Sequence, residues 1–477
     1  MKSDWHVYCS PLTIKEKDIQ LSLLPLETDF KKSHLKKLDE NSVFSPTNII
    51  NCFTKNVMFL LKNKRFKELL ELVEMSLKEY PFCRQKLNGI YVSLINDSHG
   101  TVEEAKEIIK LFVSTTTKLQ NIGTKSLGLP PILETNWMLT RMGEMVDQTA
   151  YTYHIQRLGL LKEKPILCLA AGVQITNAGF IPYLSDSFDV VTDDKQCAYF
   201  QSISYLCPFN PSFFQYGSEI GHNGRFLNAV YDDLISNGID PYPLKLKEIT
   251  KNQALNFLKP FGLNEDDEFI VLHLREEGYA DGAQHTYRNV DIRNYIDSID
   301  WLINQGFKVV RIGHQHMSPL EPRNGLIDLT AVRNPGEVDI FLCARAKFYY
   351  GSGSGPVSLA FNFNVPCLIT NNLPYGHQRP NGLVQFVPLI QESTGKPLSL
   401  EQIRKMKLEH TYSPKIFNDL KLTPKFASSA DNLRLVREMV EYIEHGEIFK
   451  QNCAKKEKLK EYGILCGLDS KSLSLLT

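Results

Sequence analysis

The run Phe269-Ile270-Val271-Leu272-His273-Leu274-Arg275 joins four consecutive apolar residues to a His-x-Arg end and then opens into the polar stretch Glu276-Glu277-Gly278-Tyr279-Ala280-Asp281-Gly282. Four apolar residues in a row predict a strand buried on both faces. Open α/β sheets bind ligands outside the carboxyl ends of their strands. A guanidinium at that rim suits phosphate, because its fork of donors matches phosphate oxygens. Arg275 is therefore the first candidate for an anion site. The plain alternative makes Arg275 a solvated strand end and His273 a satisfied core histidine.

A second candidate is Gly351-Ser352-Gly353-Ser354-Gly355-Pro356, placed between the apolar run Lys347-Phe348-Tyr349-Tyr350 and a helical pattern. Glycines let backbone amides approach a ligand, and a helix start contributes partial positive charge. Such a loop is an anion cradle, with Ser352 and Ser354 as added hydroxyls; the alternative is an ordinary tight turn. Pro356 stands where the dinucleotide fingerprint needs glycine, and no lysine follows as a Walker loop requires. If all strands of this sheet are parallel, Arg275 and the Ser352–Gly355 loop emerge from one edge and together hold a diphosphate. Arg288, in Tyr287-Arg288-Asn289, adds a cation, whereas Arg311 is expected to pair locally. Asp328 at a strand end accepts from a base or ribose, or caps a turn. No D-x-D and no C-x-x-C occur, and Asp193-Asp194 is the nearest acidic pair, so no metal and no cofactor are expected. His314 and His316 lack acidic partners in the sequence and carry little weight.

Those residues need a scaffold. Residues 1–45 show little periodicity. From Pro46 to about Thr116 the pattern is helical, with Phe66, Leu69, Leu70, Val73 and Leu77 on one stripe and a second pass through Ala105, Ile108, Ile109 and Phe112. The passes repeat at about 36 residues, near the ~34 of tetratricopeptide arrays, so this segment reads as a helical appendage packed on the main body, the alternative being an ordinary helical bundle. Pro130-Pro131 mark a boundary. A helix toward Leu161, the strand Pro165–Ala170, a small-residue loop and the strand Phe188–Thr192 begin a βαβ layer. A linker with helical stretches covers 205–250. The pattern then restarts with strands at 269–274, 307–313, 326–329, 347–350 and 366–370, separated by helices at 294–304, 338–344 and after Gly355, as in a doubly wound sheet. Near the end, Ser429 caps a helix with Leu433, Val436, Val440 and Ile443 on one stripe, which packs back across the two domains.

The chain has 477 residues, 43% hydrophobic and 23% charged, which fits two or three domains of ~100–200 residues each. Lysine plus arginine equals aspartate plus glutamate at 54 each, so no net field steers it to nucleic acid. The ten cysteines are scattered, consistent with reduced thiols and a cytoplasmic location. The N-terminus lacks a signal-peptide core, and no stretch approaches the ~18 apolar residues of a membrane span, so any membrane contact at its inner face is peripheral.

His273-Leu274-Arg275 on a strand of the second Rossmann-like domain resembles the H-x-R motif of GT-B fucosyltransferases. With Tyr287-Arg288-Asn289, Val310-Arg311-Ile312-Gly313 and Ser354-Gly355, the ordered set looks like a less characterised group of bacterial glycosyltransferases associated with surface polysaccharides. The resemblance covers roughly 130–400. It implies an α/β fold of two Rossmann-like domains facing a cleft (GT-B-like), with the N-terminal helical, tetratricopeptide-like appendage. The expected boundaries are 1–125 for the lead-in and appendage, 126–250 for an acceptor-side domain, 251–425 for a nucleotide-sugar domain and 426–477 for a helical tail. Arg275 maps to the β-phosphate contact, Ser352, Gly353, Ser354 and Gly355 to the diphosphate loop, and Gly172 and Asn177 to the first domain's glycine-asparagine loop. Gly313, Tyr287, Arg288, Asn289 and Asp328 complete the expected donor site. One departure is Glu276, which stands where the H-x-R-R form has its second arginine.

The implied chemistry is metal-independent sugar transfer from a nucleotide diphosphate sugar to a glycan, lipid-linked or protein acceptor. The appendage is the expected contact for a protein partner. Glu277, Asp281 and His273 are the candidates for the base that takes the acceptor proton. The rivals are a nucleotide-sugar epimerase and a non-catalytic binding protein that recruits partners through its helices.

Overall fold

Apolar runs such as Phe269–Leu274 must be covered on both faces, and the computed structural model shows how. It describes residues 46–63, 65–80, 83, 102–133, 137–204, 206–216, 219–223, 226–276, 288–375, 381–406, 408–409, 411, 414–445, 467–469 and 471–476. Contacts gather the chain into two units. One comprises Met1–Asn136, Glu163–Val173 and Asp189–Asn223; the other comprises Trp137–Lys162, Gln174–Phe188 and Gly224–Thr477. These units interleave along the chain, unlike the consecutive blocks expected from the sequence. Among the described residues no helix is long and apolar enough to cross a membrane.

In the first unit, helices α1 (Pro46–Lys62), α2 (Phe66–Glu79) and α3 (Val102–Ile122) share one apolar core. Phe53, Val57, Leu69, Val73, Leu77, Ile108, Ile109 and Phe112 fill it, the last six on the two stripes that helical spacing predicts. The segment in which the expected repeat would turn, 84–101, lies outside the described residues. The end of α3 packs on a small parallel sheet ordered β3-β2-β1-β4, formed by β1 (Ile132–Leu133), β2 (Ile166–Cys168), β3 (Asp189–Val191) and β4 (Pro208–Phe209). There the Gln120 amide donates to the Pro208 carbonyl at 2.6 Å. Strands β4, β5 (Phe213–Tyr216) and β6 (Glu219–His222) lie in the span expected to be a linker with helical stretches, and the helix within that span is Leu227–Ser236. The aromatic-rich Phe213-Phe214-Gln215-Tyr216 prefers a pleated surface, and it pairs antiparallel with β6. Asp193 and Asp194 have structural tasks. Asp193 accepts from the Gln196 amide at 2.9 Å as a helix cap, and Asp194 accepts from the Ala171 amide at 2.7 Å.

The second unit is built on a seven-stranded sheet. Its strands are β7 (Phe269–His273), β8 (Lys308–Arg311), β9 (Leu326–Asp328), β10 (Tyr349–Ser352), β11 (Cys367–Asn372), β12 (Gly382–Phe386) and β16 (Gly467–Leu468), in the order β16-β12-β11-β10-β7-β8-β9. Every neighbouring pair is parallel. Every residue of β7, β10, β11 and β12 is buried, as near-continuous apolar strands require. β13 (Leu389–Gln391), β14 (Lys396–Pro397) and β15 (Leu422–Pro424) form a separate antiparallel sheet.

The helices of this unit include α4 (Met142–Arg157), α5 (Ile296–Asn304), α6 (Gly336–Arg345), α7 (Gly355–Asn362) and α8 (Ser429–His445). α5 and α8 cover one face of the sheet through Ile299, Leu302, Leu435, Val436 and Met439, packed on Ile270, Leu272, Val309 and Tyr350. α8 is thus part of the second unit's core. Its cap differs from the expected Ser429. Ser428 accepts from the Asp431 amide at 3.3 Å while Asp431 accepts from the Ser428 amide at 3.2 Å, and Ser429 Oγ donates to Asp297 instead.

Candidate active site

Strand order alone singles out one crevice. From the central β7 the chain proceeds outward through β8 and β9, then returns to the other side of β7 and proceeds outward through β10, β11 and β12. The order reverses between β7 and β10, and at such a reversal the loops diverge and leave room for a ligand. Gly351 pairs with His273 across this boundary. A Cβ at Gly351 would lie 2.0 Å from the His273 carbonyl oxygen, so only glycine permits the two strands to close here.

Arg275 leaves β7 at this point and is 9% exposed. Its amide donates to Ser352 Oγ at 3.0 Å and its carbonyl accepts from the Val290 amide at 2.9 Å. These two bonds fix its main chain between the turn after β10 and the segment that returns after the loop. Because Val290 is held there, the half-buried Arg288 and Asn289 return to the same strand end. Glu277, Asp281 and Tyr287 lie outside the described residues.

The glycine-serine loop is shorter than the sequence implies. β10 runs through Ser352 and α7 starts at Gly355, which leaves Gly353 and Ser354 as the turn. Ser352 is buried and its oxygen is committed to Arg275, so it positions the strand end. Ser354 Oγ lies 2.8 Å from His273 Nδ1 and 3.2 Å from the Tyr349 hydroxyl. Above Gly353 the nearest atom to a would-be Cβ is Asn372 Oδ1 at 4.0 Å, so the turn has open space over it. Gly355 abuts the start of α4: a Cβ there would lie 3.0 Å from the Gly143 amide nitrogen. Further along, Ser358 Oγ donates to Asp147 Oδ2 at 2.9 Å. α4 and α7 therefore begin side by side and run in the same direction, and their amide-rich ends add partial positive charge at one place.

His273 is buried, and its pKa is pushed down to about 3 by burial first, then by His314 and the Arg311 and Arg275 guanidiniums. An imidazole held this strongly neutral is a poor proton acceptor. Its Nδ1 is engaged by Ser354 Oγ.

Arg311 is fully buried and pairs with carboxylates at the ends of the two flanking strands. Its Nη2 meets Glu276 Oε1 at 2.5 Å and its Nη1 meets Asp328 Oδ2 at 3.0 Å. Glu276 Oε2 also accepts from the Ser318 amide at 2.9 Å. Asp328 Oδ1 accepts from both the amide and hydroxyl of Thr330, at 3.0 and 2.7 Å. Both oxygens of Asp328 are therefore engaged in a turn and an ion pair, which is the capping role rather than the ribose role. Glu276 is explained as well: a second arginine there would face Arg311. Gly313 lies beneath Met317, whose sulfur would be 2.2 Å from a Cβ, and so serves close packing.

Gly172 and Asn177 fall in different units. Gly172 has a left-handed φ of 85° in the first. Asn177, in the second, donates to the Gly336 carbonyl at 3.0 Å and packs on the start of α6, so it is committed there instead of to the Gly353 turn. The residue given little weight in the sequence is His314, which the electrostatics place beside Arg275, Arg311 and Glu276. The signal that finds it is register: it stands three residues past Arg311, as Arg275 stands three past Leu272, and Leu272 pairs with Arg311. Among the described residues no three His, Cys, Asp or Glu come together as a metal-binding group.

No family model matches the chain, and no curated protein matches it. Solved structures with partial likeness include a family 9 glycosyl transferase from Veillonella parvula, at a TM-score of 0.37 and 12% identity, covering 65% of this chain and 96% of that one. Another is the ADP-heptose lipopolysaccharide heptosyltransferase II of E. coli, at a TM-score of 0.35 and 13% identity over 64% of this chain and 98% of that one. A UDP-GlcNAc 2-epimerase from Methanocaldococcus jannaschii has a TM-score of 0.20 and 14% identity over 67% and 87%. The α/β assignment itself rests on the two parallel sheets described above.

Proposed function

We propose that this protein is a glycosyltransferase that moves a sugar from a nucleoside diphosphate sugar to a glycan, lipid-linked or protein acceptor, without a metal ion, in the building of a bacterial surface polysaccharide. The observation that carries the reading is the meeting of Arg275 and the Gly353-Ser354 turn at the reversal of strand order, joined by the Arg275 amide to Ser352 bond of 3.0 Å. In the transfer, the bond from the sugar's anomeric carbon to the diphosphate oxygen breaks and a bond to the acceptor oxygen forms. The departing diphosphate gains negative charge. The Arg275 guanidinium and the amides at the starts of α7 and α4 stabilise that charge, as preorganised donors do where charge develops. The acceptor proton goes to a carboxylate of the loop after β7, for which Glu277 and Asp281 are the candidates.

The test is incubation with UDP-, GDP-, ADP- and dTDP-sugars, followed by release of nucleoside diphosphate. Slow donor hydrolysis is expected with one nucleotide class. Release of an isomeric free monosaccharide instead would mark an epimerase. Arg275→Ala is expected to lower turnover by roughly 10²–10³-fold, the scale of one lost transition-state donor, with the chain still folded by thermal melting. Wild-type turnover in that variant would refute the assignment.

A further inference from the structure

The ladder at the reversal extends one residue past the end of β8. Leu272 pairs with Arg311, and the Ile312 amide donates to the Leu272 carbonyl at 3.0 Å. On the other flank Tyr350 pairs with Leu272 and Gly351 with His273. Counted outward at one residue per step from these pairs, His314, Arg275 and Gly353 hold the same position past three neighbouring strand ends. Adjacent parallel strands are ~4.8 Å apart, so the row spans about 10 Å, the scale of a diphosphate with its flanking sugars.

The imidazole of His314 has a defined tautomer. Its Nδ1 accepts from the His316 backbone amide at 3.2 Å, which leaves the ring proton on Nε2. Nε2 is therefore a donor, and the ring cannot act as a base through it. We propose that His314 donates a hydrogen bond from Nε2 to an oxygen of the donor's diphosphate, on the β8 side of Arg275, while the Gly353 turn holds the β10 side. This rests on the nucleotide-sugar reading above and names a residue that completes the same site.

The groups that face His314 support a donor that needs no protonation. Burial lowers its pKa first, then His316, with Arg275 and Arg311 lowering it further and Glu276 opposing them. His273, on the neighbouring strand, feels it in turn. These influences favour the neutral ring, whose Nε2 proton is the one the proposed hydrogen bond uses.

The experiment measures the affinity of the full chain for UDP, GDP and ADP by calorimetry, with His314→Ala, His314→Gln and His314→Asn beside wild type and Arg275→Ala. His314→Ala is expected to weaken the preferred diphosphate about ten-fold or more, the scale of a lost hydrogen bond to a charged group. Gln places an N–H at the reach of Nε2 and is expected to restore most of the affinity, whereas Asn, which reaches only as far as Nδ1, is not. Loss of kcat in His314→Ala should exceed any rise in KM, because the leaving diphosphate gains charge. Wild-type affinity in His314→Ala, or Gln as weak as Asn, overturns the proposal. If His314→Ala does not fold, the Gln and Asn pair decides alone. Weakening by Arg275→Ala with no effect at His314 refutes this inference and spares the transferase reading. Failure of wild type to bind any of these three or dTDP refutes both.

Discussion

Replacing Glu276 by glutamine keeps the side chain's shape and removes one charge from a buried network. Arg311 has no exposed side-chain surface and is neutralised by Glu276 and Asp328, with a further bond of 2.7 Å from Nη1 to the Ser318 carbonyl. Two unit charges ~4 Å apart attract by about 4 kcal/mol at an effective dielectric of ~20. Removing one partner of a buried pair costs about 3–5 kcal/mol in measured cases. The glutamine carbonyl retains one of the two hydrogen bonds, so the expected loss is about 3 kcal/mol. For a unit of this size that lowers the Tm by roughly 6–12 °C in differential scanning calorimetry of the ligand-free chain. Arg311→Met removes the other partner. In the Glu276→Gln/Arg311→Met cycle the two losses should fall short of additivity by about 2 kcal/mol. A Tm within about 1 °C of wild type for Glu276→Gln, or an additive cycle, would refute the reasoning. The same logic forbids the H-x-R-R sequence in this chain. Glu276→Arg sets two guanidiniums against each other and is expected to abolish soluble expression.

Two further outcomes follow from the same geometry. Gly351→Ala drives a methyl group to within 2.0 Å of the His273 carbonyl, so β7 and β10 must part. A loss of about 1–3 kcal/mol is expected, together with weaker diphosphate binding; a variant that melts and binds as wild type does would contradict the close approach. His154 is buried with its Nε2 at 2.7 Å from the Pro241 carbonyl, and burial pushes its pKa down to about 4 from 6.5. The unfolded chain takes up this proton first as pH falls, so stability declines between 6.5 and about 4 and is constant above that window. His154→Gln should remove about 3 kcal/mol of that acid sensitivity in urea titrations. An unchanged acid slope would show that other groups carry it.

The second sheet was legible because its strands are short apolar runs bounded by turn residues, and Phe269–His273, Tyr349–Ser352 and Cys367–Asn372 fall within a few residues of where those runs lie. The turn at Gly353-Ser354 was legible for the same reason, since glycine and serine between a strand and a helix leave few structural options. What stayed hidden depends on partners distant in sequence. Arg311 and Glu276 are 35 residues apart, and only the register of β7 with β8 brings them together. His314 reads as one of two neighbouring histidines until the fold brings it within electrostatic reach of Arg275 and Glu276. β1 and β4 have two residues each, too few for a period to show, and the hairpin of β5 and β6 falls inside a segment read as a linker with helical stretches. Ser429 read as the cap of the last long helix, and only the reciprocal bonds with Asp431 show that its neighbour Ser428 takes that place.

β16 comes from residues 467–468, some 80 positions after β12, the strand it flanks. Just beyond it, the Phe386 amide donates to Ser472 Oγ at 2.9 Å, and Asp469 is buried against Arg434 at 2.8 Å. During synthesis the outer backbone groups of β12 therefore have no lateral cover until this distant stretch has left the ribosome. A strand in that condition is a template for association with other nascent chains. Arg434 helps to end that interval: it arrives with α8, ahead of the strand, and offers Asp469 a fixed counter-charge on which the late segment can settle.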